Sequence, residues 1–293
     1  MSFAPKICPN LNCHYHTIPG GHFIKKGHFR IQRLNQYIRR FQCKNCGRYV
    51  SSRTFKADYR HKKMDLNSPL AQLLVEGASL RAASRLLGLT YKNTFRKFLW
   101  IIKQASIEKH KLKFTAKELQ FDELETIHHT KCKPLSIALF VNEQYQILSA
   151  QVAEMPAKGR LAPFSVKKYG PRSDHRETAM ETGFQELKKA LINQPEKCLS
   201  DAKPSYRKFV QKYFPTTLYE TYSRADKNRY QDRLHEKLHK KKFDPLFALN
   251  QRCALLRSHI KRLTRRSWCT TKKPENLQGH LDLFIVMQFG WIV

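Results

Sequence analysis

Leu119-Gln-Phe-Asp-Glu-Leu-Glu-Thr-Ile127, then Leu135-Ser-Ile-Ala-Leu-Phe-Val141, then Tyr145-Gln-Ile-Leu-Ser-Ala-Gln-Val-Ala153, decide how this chain folds. Each run has strand length and is bounded by polar residues. The middle one is apolar throughout, as a strand covered on both faces must be. Asn142-Glu-Gln144 is short enough to make a hairpin of the last two. Downstream, Ala179, Phe184, Leu187, Ala190 and Leu191 recur at helical spacing, which predicts a helix over 176–191. Cys198-Leu-Ser-Asp201 reads as a short buried strand ending on a carboxylate. Pro204-Ser-Tyr206 opens a helix through Phe209, Val210 and Tyr213, Thr217–Tyr222 is a further strand, and a long basic helix runs from Leu246 to about Leu263.

The order βββαβαβα is that of an α/β, RNase-H-like domain, a mixed sheet with flanking helices. That fold sets one acid in the middle of its first strand and another after its fourth, the places held by Asp122 and Asp201. Two carboxylates converging there can hold divalent ions, which activate a water or a 3′-hydroxyl and stabilise the leaving oxygen of a phosphodiester. The competing structural roles are a solvated edge position for Asp122 and a cap on the Pro204 helix for Asp201.

Working outward to the N-terminus, Cys8 and Cys13 are followed by Cys43-Lys-Asn-Cys46 with Gly47 directly after. Four thiolates at this spacing suit tetrahedral zinc, and glycine permits the tight turn of the knuckle. Short strands at His22-Phe-Ile and Tyr37–Cys43 complete a zinc ribbon. Disulfides are the alternative, but no export signal supports an oxidising compartment. His14, His16, His22 and His28 lie nearby as DNA-facing or packing residues, since four cysteines close the site. Cys132, Cys198, Cys253 and Cys269 are isolated and read as core residues.

Between ribbon and sheet, Asn67-Ser-Pro69 starts a helix that Glu76–Gly77 stops. Ser79 caps a second, with Leu80, Ala82, Ala83, Leu86 and Leu87 as its apolar side. After Gly88-Leu-Thr90, a third helix runs from Tyr91 to about Ile107 with Lys92, Asn93, Arg96 and Lys97 on its outer face. Small residues at the crossing fit a helix-turn-helix. The expected domains are therefore 1–60 (zinc ribbon), 61–113 (helix-turn-helix) and 114–293 (catalytic).

The charge balance points to the partner. The chain has 293 residues with 55 Lys and Arg against 23 Asp and Glu, a net +32. The excess is +12 over residues 1–66, +7 over 67–113 and +13 over 114–293. A chain this basic along its whole length fits a polyanion, with double-stranded DNA the expected partner. No apolar run approaches the twenty residues of a spanning helix, and a cytoplasmic, nucleoid-associated location is expected. On the last helix Arg257, Lys261, Arg262, Arg265 and Arg266 are placed to grip phosphates. The third helix of the helix-turn-helix is expected to read bases. A Gly/Pro-rich insertion carries Lys158-Gly-Arg-Leu-Ala and Lys167-Lys-Tyr-Gly-Pro-Arg172.

Five stretches, in this order, resemble a bacterial insertion-sequence transposase of the DDE class, closest to the insertion-sequence-one family: Arg40-Phe-Gln-Cys-Lys-Asn-Cys-Gly-Arg48, Glu76-Gly-Ala-Ser-Leu-Arg-Ala-Ala-Ser-Arg-Leu-Leu-Gly88, Phe121-Asp-Glu-Leu124, Leu199-Ser-Asp201 through Tyr206, and Leu256-Arg-Ser-His-Ile-Lys-Arg-Leu-Thr-Arg-Arg-Ser-Trp268. The resemblance implies cleavage and strand transfer at element ends with Mg²⁺ or Mn²⁺, by a homo-oligomer on DNA. Asp122 and Asp201 match the family's first two acids. Its third acid lies a few residues before the Leu-Arg pair, where this chain has Leu249-Asn-Gln-Arg-Cys-Ala-Leu255 and no carboxylate. Asn250 is nearest that place. Three readings stay open: Asn250 as an uncharged third ligand, another acid (Glu123, Glu220 or Glu236) in its stead, or a catalytically inactive DNA-binding protein. The apolar end Phe284–Val293 reads either as a packed final helix or as a frameshifted end.

Overall fold

The first fifty-seven residues carry no carboxylate and few large apolar side chains, so little but a shared ion could hold them together. In the computed structural model, which describes residues 3–32, 35–59, 61–222, 244–264 and 268–292, they belong to a separate unit, Met1–Pro69. Its sheet has the order β1-β2-β3, with β1 Phe23–Ile31, β2 Gln36–Cys43 and β3 Tyr49–Ser51, all antiparallel. Its buried cluster is built from Cys8, Cys13 and Cys43 with Tyr15 and Phe23 against them.

The second unit, Leu70–Val293, is α/β. Its five-stranded sheet contains β4 Glu118–His128, β5 Thr130–Asn142, β6 Ile147–Glu154, β7 Lys197–Ser200 and β8 Leu218–Thr221, in the order β6-β5-β4-β7-β8. The first three strands are antiparallel neighbours, and β4, β7 and β8 are parallel. The parallel half requires crossovers, which helices supply. These are α4 Ala162–Tyr169, α5 Arg176–Ala190 and α6 Tyr206–Tyr213. The helix α4 forms inside the segment that the sequence marks only as a Gly/Pro-rich insertion.

Alternation along β4 assigns its two faces. Leu119 and Phe121 enter a core with Phe140, Phe184, Phe209 and Phe214, under α5 and α6. Gly183 on α5 touches this layer so closely that a Cβ would meet the Phe140 ring at 2.2 Å. Gln120, Asp122 and Leu124 face the other way. That side is covered by helices from both ends of the unit: α1 Asn67–Val75, α3 Tyr91–Lys109, α7 Phe247–His259 and α8 Pro274–Gln288.

The apolar C-terminus is thus a packed helix. Leu281, Leu283, Ile285 and Val286 of α8 are buried, and a Cβ on its Gly279 would meet Ile102 of α3 at 2.7 Å. Helix α8 also satisfies the free edge of β6. Gln278 accepts from Val152 N (2.8 Å) and donates to Ala150 O (2.8 Å), and Gln288 donates to Ile147 O (2.7 Å). Covering an edge strand in this way removes a pairing hazard.

The expected helix-turn-helix forms its helices, with α2 at Leu80–Leu86, but they share the core of this unit. Ser79 Oγ accepts from Ala82 N (3.1 Å), the cap expected for α2, and Thr90 Oγ1 accepts from Asn93 N (3.3 Å), capping α3 where the sequence marks only a turn. Lys109 at the end of α3 is buried and meets Asp282 of α8 and Glu186 of α5, each at 3.0 Å. Two placements differ from the sequence reading. Leu86 is 69% exposed, and Lys97 is only 9% exposed, because α3 packs on both α2 and α8 and is covered around more of its girth than one apolar stripe suggests.

Candidate metal centre and active site

Cys8 and Cys13 flank the turn before β1, Cys43 ends β2, and Cys46 lies in the turn that follows. Gly47, at φ +70°, closes that turn by donating to Cys43 O (3.0 Å). The four Sγ atoms lie within 4.8 Å of one another, with Cys8–Cys46 at 3.5 Å and Cys13–Cys43 at 3.7 Å. A tetrahedral site with Zn–S of about 2.3 Å needs sulfurs roughly 3.8 Å apart, so the donor set fits zinc in type and spacing. Among the described residues this is the one group of three or more His, Cys, Asp or Glu side chains so clustered. The backbone N–H of Arg48 holds Cys46 down at about 6, whereas burial pushes Cys8 up to about 12. The nearby imidazoles serve elsewhere: His16 Nδ1 meets Cys8 O at 2.7 Å, and His22 stacks on Tyr15 at 3.8 Å.

Strands β4 and β7 are parallel neighbours with Phe121 opposite Ser200, so the next residues along them are Asp122 and Asp201. Tyr206, at the start of α6 and 1% exposed, donates its hydroxyl to Asp122 Oδ1 at 3.2 Å. Asp122 is pushed up to about 6. Burial is the main cause, the Asp201 and Glu123 carboxylates add to it, and the Glu123 backbone N–H and the Tyr206 hydroxyl oppose it. Tyr206 is raised in turn by burial and by Asp122. Asp201 Oδ1 accepts from the backbone N–H of Lys203 at 3.3 Å.

The candidates for a third ligand lie as follows. Asn250 sits on α7, but its Nδ2 donates to Asp244 Oδ2 at 2.8 Å. The α7 residue that feels the Asp122 charge is Cys253, whose thiol burial and Asp122 together push up to about 11. The phase of α7 is fixed by Gln120, which accepts from Leu249 N at 3.0 Å. Glu123 is engaged by Lys203 Nζ, by Ser136 Oγ (3.3 Å) and by Arg176 (3.7 Å). Glu220 meets the Tyr222 hydroxyl at 2.6 Å and Lys197 at 3.2 Å. Glu236 lies outside the described residues.

The cationic candidates divide. Lys92, Asn93 and Arg96 are exposed at the start of α3. Arg262 turns inward, its guanidinium 5.3 Å from the Phe98 ring centroid, and burial lowers its pKa. Arg257 and Lys261 are half-buried, and Arg265 and Arg266 lie outside the described residues. In the insertion, Lys158 pairs with Glu125 at 2.6 Å and Arg172 with Glu154 at 3.2 Å. Tyr206, Cys253 and the Lys203–Glu123 tie had no sequence signal beyond proximity to the two acids.

No family model matches the chain, and no curated protein matches it. Among solved structures it is similar to a chain of the simian T-cell lymphotropic virus intasome in complex with PP2A regulatory subunit B56 gamma. The identity is 12%, the match covers 72% of each chain, and the TM-score is 0.21, too low to carry any argument. Among the described residues, no helix is long and apolar enough to cross a membrane.

Proposed function

We propose that the protein is a DNA transposase with an RNase-H-like catalytic domain, which binds insertion-sequence ends and carries out metal-dependent phosphodiester cleavage and strand transfer. The observation that carries this reading is that Asp122 and Asp201 each directly follow the paired residues Phe121 and Ser200 of two adjacent parallel strands, with Asp122 buried enough to be pushed up to about 6. A buried carboxylate whose pKa is raised beside a second carboxylate is a candidate for chemistry. Asp122 and Asp201 would hold Mg²⁺ or Mn²⁺, which would supply an activated oxygen nucleophile and neutralise the leaving oxygen. Tyr206 fixes one oxygen of Asp122, leaving the other to a ligand. The four-cysteine module, the start of α3, Arg257 at the end of α7 and Lys261 just past it would hold DNA, in the three segments 1–60, 61–113 and 114–293 of the sequence reading. The test is nicking of duplex DNA carrying the element's own ends, with Mg²⁺ or Mn²⁺, by wild type and Asp122→Asn; cutting by wild type alone supports the reading.

A specific observation also favours a second reading, an inactive DNA-binding protein. Among the described residues, no third acid joins Asp122 and Asp201, and Asn250 is occupied by Asp244. Wild type that binds end DNA tightly but cuts nothing with either metal would select it.

A further inference from the structure

In the β1–β2 ribbon of the four-cysteine module the buried residues are Ile38, Phe41 and Cys43, all on β2. Seven of the nine residues of β1 in a row, Ile24 to Arg30, are exposed. A strand so exposed draws little stability from its own sheet, which leaves its outer face open to a partner. The composition names that partner's charge. Residues 1–57 carry eleven Lys and Arg and no Asp or Glu; the first carboxylate, Asp58, is paired with Arg53 at 2.8 Å.

Register sorts these cations into two groups. His28 pairs with Arg39 and Arg30 with Tyr37, so these four side chains project from one face of the ribbon. They are ordered against each other. Arg39 Nε donates to His28 Nε2 at 3.1 Å, Arg30 donates to Asn35 Oδ1 at 2.7 Å, and the Arg30 guanidinium lies 5.8 Å from the Tyr37 ring centroid. The opposite face holds the Phe29–Ile38 pair, with Ile38 buried. Below a bulge at Lys26–Gly27, where Gly27 takes φ +67°, come Lys25, Lys26, Lys44 and Arg48, all exposed.

We propose that the β1–β2 ribbon enters the major groove of double-stranded DNA and reads base edges with Arg30 and Arg39, while the lysines below the bulge hold phosphates. This deepens the DNA-binding reading above and rests on it, and it adds a reading head separate from α3. The dimensions agree. A two-stranded ribbon fits the major groove, and nine residues span about 30 Å, close to one turn of duplex. Chemistry agrees as well. Arginine forks pair with guanine N7 and O6, and the stacking of Arg30 and the His28 contact of Arg39 hold both forks extended before binding. The deep, narrow groove of an RNA duplex would not admit the ribbon.

The test uses the full chain. A preferred duplex is selected from a randomised pool, and affinities for it and for a scrambled duplex are measured by fluorescence anisotropy across a KCl series. Arg39→Ala is expected to weaken the selected duplex by roughly 5- to 150-fold and the scrambled one by less than about 3-fold. Arg39→Lys, which keeps charge and loses the fork, is expected to lose discrimination while retaining scrambled-duplex affinity. Lys25→Ala is expected to weaken both alike and to lower the salt slope by about 1. Arg96→Ala in α3 is expected to relax a different block of base pairs from Arg39→Ala. An unchanged zinc content certifies the fold of each ribbon variant. Equal losses on both duplexes for Arg39→Ala and Arg39→Lys would reduce the ribbon to a clamp and overturn the inference while leaving DNA binding intact. Wild type that binds no duplex, or prefers RNA, would overturn the DNA reading itself and the inference with it.

Discussion

Asp122→Asn tests the candidate active site through stability, without requiring activity. The folded protein holds Asp122 at about 6 against 3.8 for an unperturbed carboxyl. A folded pKa above the unfolded one means that the fold prefers the neutral acid. That preference is fully present below about pH 4 and is lost as pH rises through 6. Above it, the ionised group costs about 1.36 kcal/mol per unit, or about 3 kcal/mol in total. Asparagine has nearly the same shape, stays neutral, and can still accept from the Tyr206 hydroxyl. In protein free of Mg²⁺ and Mn²⁺, the variant is therefore expected to be more stable than wild type by up to about 3 kcal/mol at pH 7.5, with the gain disappearing near pH 4. Urea unfolding followed by tryptophan fluorescence isolates the right unit, because all three tryptophans, Trp100, Trp268 and Trp291, lie within Leu70–Val293. Added Mg²⁺ should stabilise wild type and not the variant, since only the former binds it. Equal or lower stability of the variant at pH 7.5, or a gain that does not change with pH, would refute the argument that burial and the Asp201 charge strain this carboxylate.

Purified protein should contain one zinc per chain, and Cys43→Ser should lose it and unfold the first unit while tryptophan fluorescence of the second stays unchanged, as metal analysis and limited proteolysis would show. Lys109→Met should destabilise the second unit by about 3–5 kcal/mol, because it leaves Asp282 and Glu186 uncompensated around a buried site. At about 2–4 °C per kcal/mol for a unit of this size, calorimetry should register a drop in Tm of roughly 6–20 °C. If Asn250 contributes to the proposed reaction, Asn250→Ala should lose cutting in a nicking assay and Asn250→Asp should keep or raise it. An inert Asn250→Ala alongside a dead Asp244→Asn would transfer that role to the carboxylate it holds.

The local patterns in the sequence were sufficient for the pieces. The Cys43-Lys-Asn-Cys46 knuckle specified its own turn, and the apolar run at 135–141 specified a strand covered on both faces. Ser79 announced the start of α2, because a cap acts within three residues. The order of elements brought Asp122 and Asp201 forward together, and β4 and β7, whose paired residues Phe121 and Ser200 they follow, are parallel neighbours. What tertiary structure alone decided was which surfaces meet. The apolar tail announced burial, yet only its packing on Ile102 and along β6 shows that it joins α3 to the sheet in one core. On α3, Lys97 is buried although helical period put it on the outer face, and Lys109 is buried against Asp282 of α8 and Glu186 of α5. Its place a few residues before Leu256–Arg257 brought Asn250 forward as one candidate for the third ligand. Helix α7 is tied to β4 by the bond from Leu249 N to Gln120, and Asn250 on it donates to Asp244. A helix carries its spacing in its sequence, but its rotation about its own axis is fixed by what it lies against.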